Sequence, residues 1–227
     1  MQALIQTPTP YLEASIDFYS KLGFKQISET PLIFSDGKAS LEINPNRYAR
    51  AGLRFFKDSW SLEISKLKPI AEIHPTKDGH LLADPSGVWI FLVDGKPGFD
   101  LHEEELSFST LGNYMGISLE STDAKKSFEI YQILGFQLAF GSVDSGYFSM
   151  TANGFSISIM KPNSCPHLFF NPSLTYFNGK NNMNIIAKIR SLEIPITEEI
   201  TYFNKEGIVD NIIIKDPGGL GFFIFND

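Results

Sequence analysis

The sequence predicts an α+β protein made of tandem βαβββ units, and three repeated segments predict it. Ser15-Ile-Asp-Phe-Tyr-Ser-Lys-Leu-Gly-Phe24 and Ser127-Phe-Glu-Ile-Tyr-Gln-Ile-Leu-Gly-Phe136 share Ser, Tyr, Leu, Gly and Phe at a constant shift of 112 residues. Asp84-Pro-Ser-Gly-Val-Trp-Ile-Phe-Leu-Val93 and Asp216-Pro-Gly-Gly-Leu-Gly-Phe-Phe-Ile-Phe225 each open on an Asp-Pro-x-Gly turn and run into a short apolar strand. Leu53-Arg-Phe-Phe56 and Leu174-Thr-Tyr-Phe177 lie between them. Three matched anchors in one order mark a duplicated unit. Within each half, strand and helix periods alternate, which excludes an all-helical bundle and a sandwich.

Residues 3–6 read as a strand. Thr9 is placed to cap the following helix, and Pro10 suits a first turn, where a missing N–H costs nothing. Leu12, Ile16, Tyr19 and Leu22 recur on one helical face, and Gly23 stops the helix in a left-handed conformation. Residues 25–29, 32–34 and 39–43 read as strands, with Asp36-Gly37 as a hairpin turn and Asn44-Pro45-Asn46 as a break. Residues 53–56 form the next strand, and Trp60, Ile64 and Leu67 a second helical stripe that Pro69 ends. His74, before Pro75, reads as loop. Residues 79–83 and 88–93 close the half as a hairpin.

The second half replays this order. Residues 116–121 are a strand, Asp123 a helix cap, and Ala124, Phe128, Tyr131 and Leu134 the stripe that Gly135 ends. Strands follow at 137–140, 147–151 and 156–160, with Asn153-Gly154 as the tight turn, then a loop over 163–172. A strand at 174–178, a helix carrying Ile185, Ile189 and Leu192, and strands at 198–203, 209–215 and 221–225 complete it. The organisation is a module over 1–95, a Gly-, Pro- and acid-rich linker over 96–112, and a second module over 113–227. His102, beside Glu103, reads as linker surface.

Composition narrows the function classes. A formal charge of −7 over 227 residues, with no cluster of Lys or Arg, argues against nucleic acid as a partner. Twenty Phe imply a core rich in aromatic rings. The lone Cys165 excludes an internal disulfide and fits a reducing compartment; with no base close by in sequence it is a poor nucleophile candidate. No basic n-region precedes an apolar core at the N-terminus, and no run approaches the roughly 18 apolar residues of a membrane span. The expectation is a cytoplasmic protein that does not partner a membrane.

A strand, a helix reading x-S-[IF]-x-x-Y-x-x-L-G-F and an Asp-Pro-x-Gly turn into a last strand resemble the vicinal oxygen chelate superfamily. That group includes glyoxalase I, the bleomycin-resistance proteins and the extradiol dioxygenases. The resemblance covers both halves. It implies paired βαβββ units whose curved mixed sheets form open cups, with helices outside and the site on the concave face. In the superfamily's metal enzymes the ion is held by His on two strands and Glu on a closing strand. The corresponding positions here are Leu4 and Gly116, Leu53 and Leu174, Phe91 and Phe223, and none can bind a metal. The expectation is therefore no metal and no cofactor.

Strand alternation then defines a cup lining: Gln6, Phe55, Trp89 and Phe91 in the first half, and Ser118, Glu120, Tyr176, Asn178, Phe223 and Phe225 in the second. Such a lining suits a small aromatic or amphipathic molecule. Glu120 is a candidate acid, base or ligand anchor, and no residue is assigned as catalytic. Glu42, His80, Glu120 and His167 are the donors for a displaced metal site, although no spacing motif joins them; His167 sits in a loop over the second cup. Three functions compete: a metal-free binding protein of the bleomycin-resistance type, a lyase or dioxygenase with relocated ligands (or acid–base chemistry at Glu120), and a degenerate module acting as a protein-interaction scaffold. A homodimer is compatible with the duplication.

Overall fold

Alternating strand and helix periods resolve into four βαβββ units in a computed structural model that describes residues 1–101 and 104–226. His102 and Glu103, read above as linker surface, fall outside the described residues. The first unit is β1 (Gln2–Pro8), α1 (Leu12–Lys21), β2 (Lys25–Glu29), β3 (Leu32–Ser35) and β4 (Ser40–Asn44). The second is β5 (Gly52–Lys57), α2 (Ser61–Leu67), β6 (His74–Thr76), β7 (Gly79–Ala83) and β8 (Trp89–Asp94). The third is β9 (Tyr114–Glu120), α3 (Ala124–Ile133), β10 (Gln137–Ser142), β11 (Tyr147–Ala152) and β12 (Phe155–Met160). The fourth is β13 (Ser173–Phe177), α4 (Asn182–Ser191), β14 (Ile196–Ile200), β15 (Asn211–Lys215) and β16 (Gly221–Phe225).

Each pair of units makes one open eight-stranded mixed sheet, ordered β2-β3-β4-β1-β5-β8-β7-β6 and β10-β11-β12-β9-β13-β16-β15-β14. The two units of a sheet meet where β1 runs antiparallel to β5, and β9 to β13. One face of each sheet packs on the helices. Ile5, Leu53, Phe55 and Ile90 of the first sheet join Ile117, Leu174, Tyr176 and Phe222 of the second in a single core with Tyr19, Leu67, Tyr131 and Ile189 of the helices. The opposite faces carry separate small clusters, Leu4, Ile33, Phe56 and Leu101 on one and Ile200, Ile213 and Phe223 on the other. The helices thus lie outside both cups, as the sequence predicts.

Several local expectations change. Helix α1 begins at Leu12 with Tyr11 as its N-cap residue, so Thr9 does not cap it directly. Instead the Thr9 hydroxyl accepts from the Tyr11 N–H at 3.1 Å and from Ser15 Oγ at 2.8 Å, a brace two residues upstream. Asp123 does cap α3, accepting from the Lys126 N–H at 2.9 Å. His74 lies in strand β6, not a loop; β6 is an outer strand, where the missing N–H of Pro75 breaks no inner ladder. Strand β14 stops at Ile200 because Asn204 closes a loop, donating to the Ile208 carbonyl at 2.7 Å and accepting from its N–H at 3.1 Å. Gly23 and Gly135 end α1 and α3 with φ of 84° and 99°, values open to glycine at no steric cost.

The repeated motifs tie the halves together. Asp216, in the last Asp-Pro turn, accepts from Tyr19 Oη at 2.9 Å and Thr7 Oγ1 at 2.8 Å, both in the first unit. Asp84, in the first Asp-Pro turn, accepts from Ser127 Oγ of α3 at 3.0 Å and lies beside the Tyr131 phenol. Asp36 accepts from Tyr176 Oη at 2.8 Å, a third link across the halves. All three carboxylates are at most 4% exposed. Burial raises their pKa above the ordinary value, and the hydrogen bonds oppose that rise. Burial first, and the facing carboxylate second, hold the Tyr19, Tyr131 and Tyr176 phenols well above the usual tyrosine range.

Two outcomes follow. Removing the Tyr19 hydroxyl (Tyr19→Phe) takes one donor from a buried carboxylate and should cost about 2 kcal/mol in urea unfolding at neutral pH. A raised carboxylate pKa means that the folded protein keeps protons which the unfolded chain has already released. The stability from these aspartates is therefore complete below about pH 4 and is lost as pH rises through their folded-state values. Asp84→Asn combined with Asp216→Asn should flatten the fall in stability as pH rises above about 4; an unchanged slope would contradict the assignment.

Candidate functional site

Register determines which residues enter each cup. In the first sheet Leu4 stands opposite Arg54, which stands beside Phe91, and these side chains point away from the helices. Gln6, Trp89 and Phe91 lie on this same face. Phe55 does not: it is fully buried in the core with Phe136 and Phe155. Its neighbour Arg54 takes the cup-facing place. Strand β5 reads Gly-Leu-Arg-Phe-Phe-Lys, and its arginine belongs on the side away from the helix-packed core.

The first cup is occupied by the chain's own groups. Arg54 pairs with Glu42, Asn44 Nδ2 donates to Glu42 Oε1 at 3.0 Å, and Gln6 Nε2 donates to the Arg50 carbonyl at 2.8 Å. From the connection between halves, Leu101 and Phe99 pack on Leu4, Ile33, Phe56 and Val93, with the Phe99 ring edge-on to Phe56 at 6.0 Å.

The second cup is open. A cavity of about 360 Å³ lies over β9, β13 and β16, beneath the loop from Lys161 to Phe169. Phe223 and Phe225 stack with centroids 5.5 Å apart, and His167 stands edge-on to both at 5.2 Å. Phe169 meets Phe223 at 5.1 Å, and Tyr147 and Phe177 complete the apolar walls. The floor is polar: Ser118 Oγ and Thr175 Oγ1 share a hydrogen bond of 2.8 Å. His167 Nδ1 lies 2.8 Å from the Leu168 carbonyl, which makes Nδ1 the donor.

The sequence-derived lining divides accordingly. Ser118, Phe223 and Phe225 line the cavity. Glu120 sits on the same face of β9 beside Cys165, its N–H held by Asn171 Oδ1 at 2.8 Å, but it is not part of the cavity wall. Tyr176 is in the core, and Asn178 ties the strand end to the linker, accepting from Asn113 N–H at 2.9 Å and donating to the Leu111 carbonyl at 3.0 Å. The cup-facing residues of β13 are Thr175 and Phe177. Their signal was present in Ser-Leu-Thr-Tyr-Phe, where Ser173 and Thr175 alternate with Leu174 and Tyr176. Phe169 and Lys161 belong to irregular chain and carry no periodic signal.

Leu4, Gly116, Phe91 and Phe223 lie on the concave faces, and Leu53 and Leu174 face the core. With Arg54 and Thr175 as cup-facing neighbours, neither set offers the donors that a divalent ion takes at those positions. Among the described residues, no three His, Cys, Asp or Glu side chains are grouped so as to hold a metal. Glu42 belongs to the first cup, whereas Glu120 and His167 belong to the second. His80 pairs with Leu92 on the core side of its sheet, so these four do not converge.

No family model and no curated protein matches this sequence. Solved structures do match, and they identify the fold as that of the vicinal oxygen chelate proteins. A variant of homoprotocatechuate 2,3-dioxygenase from B.fuscum superposes with a TM-score of 0.61 at 14% identity, over 99% of this chain and 70% of that one. The Mn(II)-bound glyoxalase from Novosphingobium aromaticivorans gives 0.57 at 13% identity, over 97% and 79%. The 2,2',3-trihydroxybiphenyl 1,2-dioxygenase from Sphingomonas wittichii gives 0.56 at 12%, over 99% and 91%. At these identities the likeness is one of fold. No helix among the described residues is long and apolar enough to cross a membrane.

Burial first, and the Glu120 carboxylate second, push the Cys165 thiol up to about 11. Its Sγ lies 3.3 Å from Met160 Sδ. Cys165 should therefore react with iodoacetamide far more slowly at pH 8 than the same thiol in urea-unfolded protein. Equal rates in the two states would place the thiol outside this cavity.

Proposed function

We propose that the chain is a binding protein for a small aromatic or amphipathic molecule, that it works without a metal, and that the second cup alone holds the ligand. The aromatic cavity of about 360 Å³, with a hydroxyl pair at its floor, supports this reading. An apolar cavity of about 150 Å³ already admits benzene, so this one accommodates two fused rings. A depression of about 500 Å³ beside α1 is larger but has no aromatic wall. Internal packing in the first cup supports placing the function in one half only.

Indole, a neutral two-ring probe, should raise the melting temperature, and EDTA should change neither the melting temperature nor indole binding. Phe225→Ala should weaken indole about tenfold through loss of ring contact, while Phe91→Ala, in the first cup, should leave it unchanged. Failure of a broad set of one- and two-ring aromatics to shift the melting temperature would remove the proposal.

The dioxygenase and glyoxalase neighbours raise a second reading, a metal enzyme with relocated ligands. Elemental analysis of protein purified without chelator or histidine tag separates the two. Stoichiometric transition metal would favour the enzyme.

A further inference from the structure

The second cup's charged residue suggests which aromatic molecules it prefers. The cavity wall includes one lysine, Lys161, and no aspartate or glutamate. Lys161 follows β12, and its N–H donates to the Gly146 carbonyl at 3.0 Å. Its aliphatic stem lies across Gly146, where any Cβ would collide with it. Gly146 has φ of 76°, so its backbone favours glycine, and the absent Cβ leaves room for the stem. Lys161 is exposed at the cavity rim. No carboxylate among the described residues forms an ion pair with Lys161.

A lysine with no ion-pair partner among the described residues, at the rim of aromatic walls, has a definite chemical complement. The geometry points to a two-ring aromatic carboxylate as the preferred ligand class, with its rings against Phe223 and Phe225 and its carboxylate on Lys161. This rests on the aromatic-binding reading above and adds the charge of the ligand. A charge-assisted hydrogen bond is stronger than the neutral bond an amide makes there, and water and salt screen it at the exposed Lys161. Glu120, near Cys165 on the same face, works against an anion, so it tunes the preference in the opposite sense.

Titration calorimetry with 2-naphthoate, 2-naphthamide and 2-naphthylmethylamine tests the assignment at neutral pH and low salt. Wild-type protein should bind the acid about tenfold more tightly than the amide, and the amine most weakly. Lys161→Gln should erase the advantage of the acid and leave amide binding intact, and Lys161→Arg should restore most of it. Glu120→Gln should tighten the acid about two- to threefold. Equal binding of acid and amide, or a preference for the amine that Glu120→Gln abolishes, would overturn the charge assignment while the aromatic-binding reading stands. Loss of all three ligands from folded wild-type protein would overturn both.

Discussion

Buried carboxylates that reach from one half to the other govern this architecture. Asp216 of the last turn receives Tyr19 and Thr7 of the first unit, and Asp84 of the first half receives Ser127 of the second. An ionisable group out of water is costly unless its lone pairs are filled, so each turn is stable only with the opposite helix in place. The same turns accept their own backbone N–H groups, as Asp216 does from Leu220 at 2.7 Å. One side chain thus shapes a local turn and joins two halves. The recurrence of Ser-x-x-x-Tyr and Asp-Pro-x-Gly reflects this exchange: each helix motif is completed by the turn motif of the other half.

Joining the halves through helices and sheet backs leaves the two concave faces free to differ. In the first, Arg54 and Glu42 neutralise each other, and Phe99 and Leu101 from the connecting segment cover the apolar floor. In the second, the strand position equivalent to Arg54 is Thr175, and it needs no counter-charge. The loop carrying Cys165, His167 and Phe169 walls the cavity and does not fill it. Duplication followed by such divergence gives one packed cup and one open cup on a shared scaffold.

The fold was legible because its signals are periodic or local. Helix stripes, glycine stops, the Asn153-Gly154 turn and the Asp-Pro turns each reflect short-range physics, and their repetition gave the unit count. The site was only partly legible. On β9, where Gly116, Ser118 and Glu120 alternate with Ile117 and Leu119, polarity indicates the face correctly. On β5 and β13 every position but the arginine, the lysine, serine and threonine is apolar, and aromatic character suggested the cup for Phe55 and Tyr176. Both belong to the core, because the largest rings here fill the space between sheet and helices. The packing of Phe99 and Leu101 into the first cup, and the placement of Lys161 at the rim of the second, depend on irregular chain returning from a distance. No window of sequence contains that information.

The central claim is that the second cup alone receives an aromatic ligand, and methionine methyl NMR reads this directly. Met160 lines that cavity, whereas Met1 lies at a separate cleft between the halves and Met183 is exposed on α4. Titration with indole should move the Met160 methyl resonance by ring-current shift and leave those of Met1 and Met183 in place. A shift at Met1 with none at Met160 would put binding in the inter-half cleft and contradict the account.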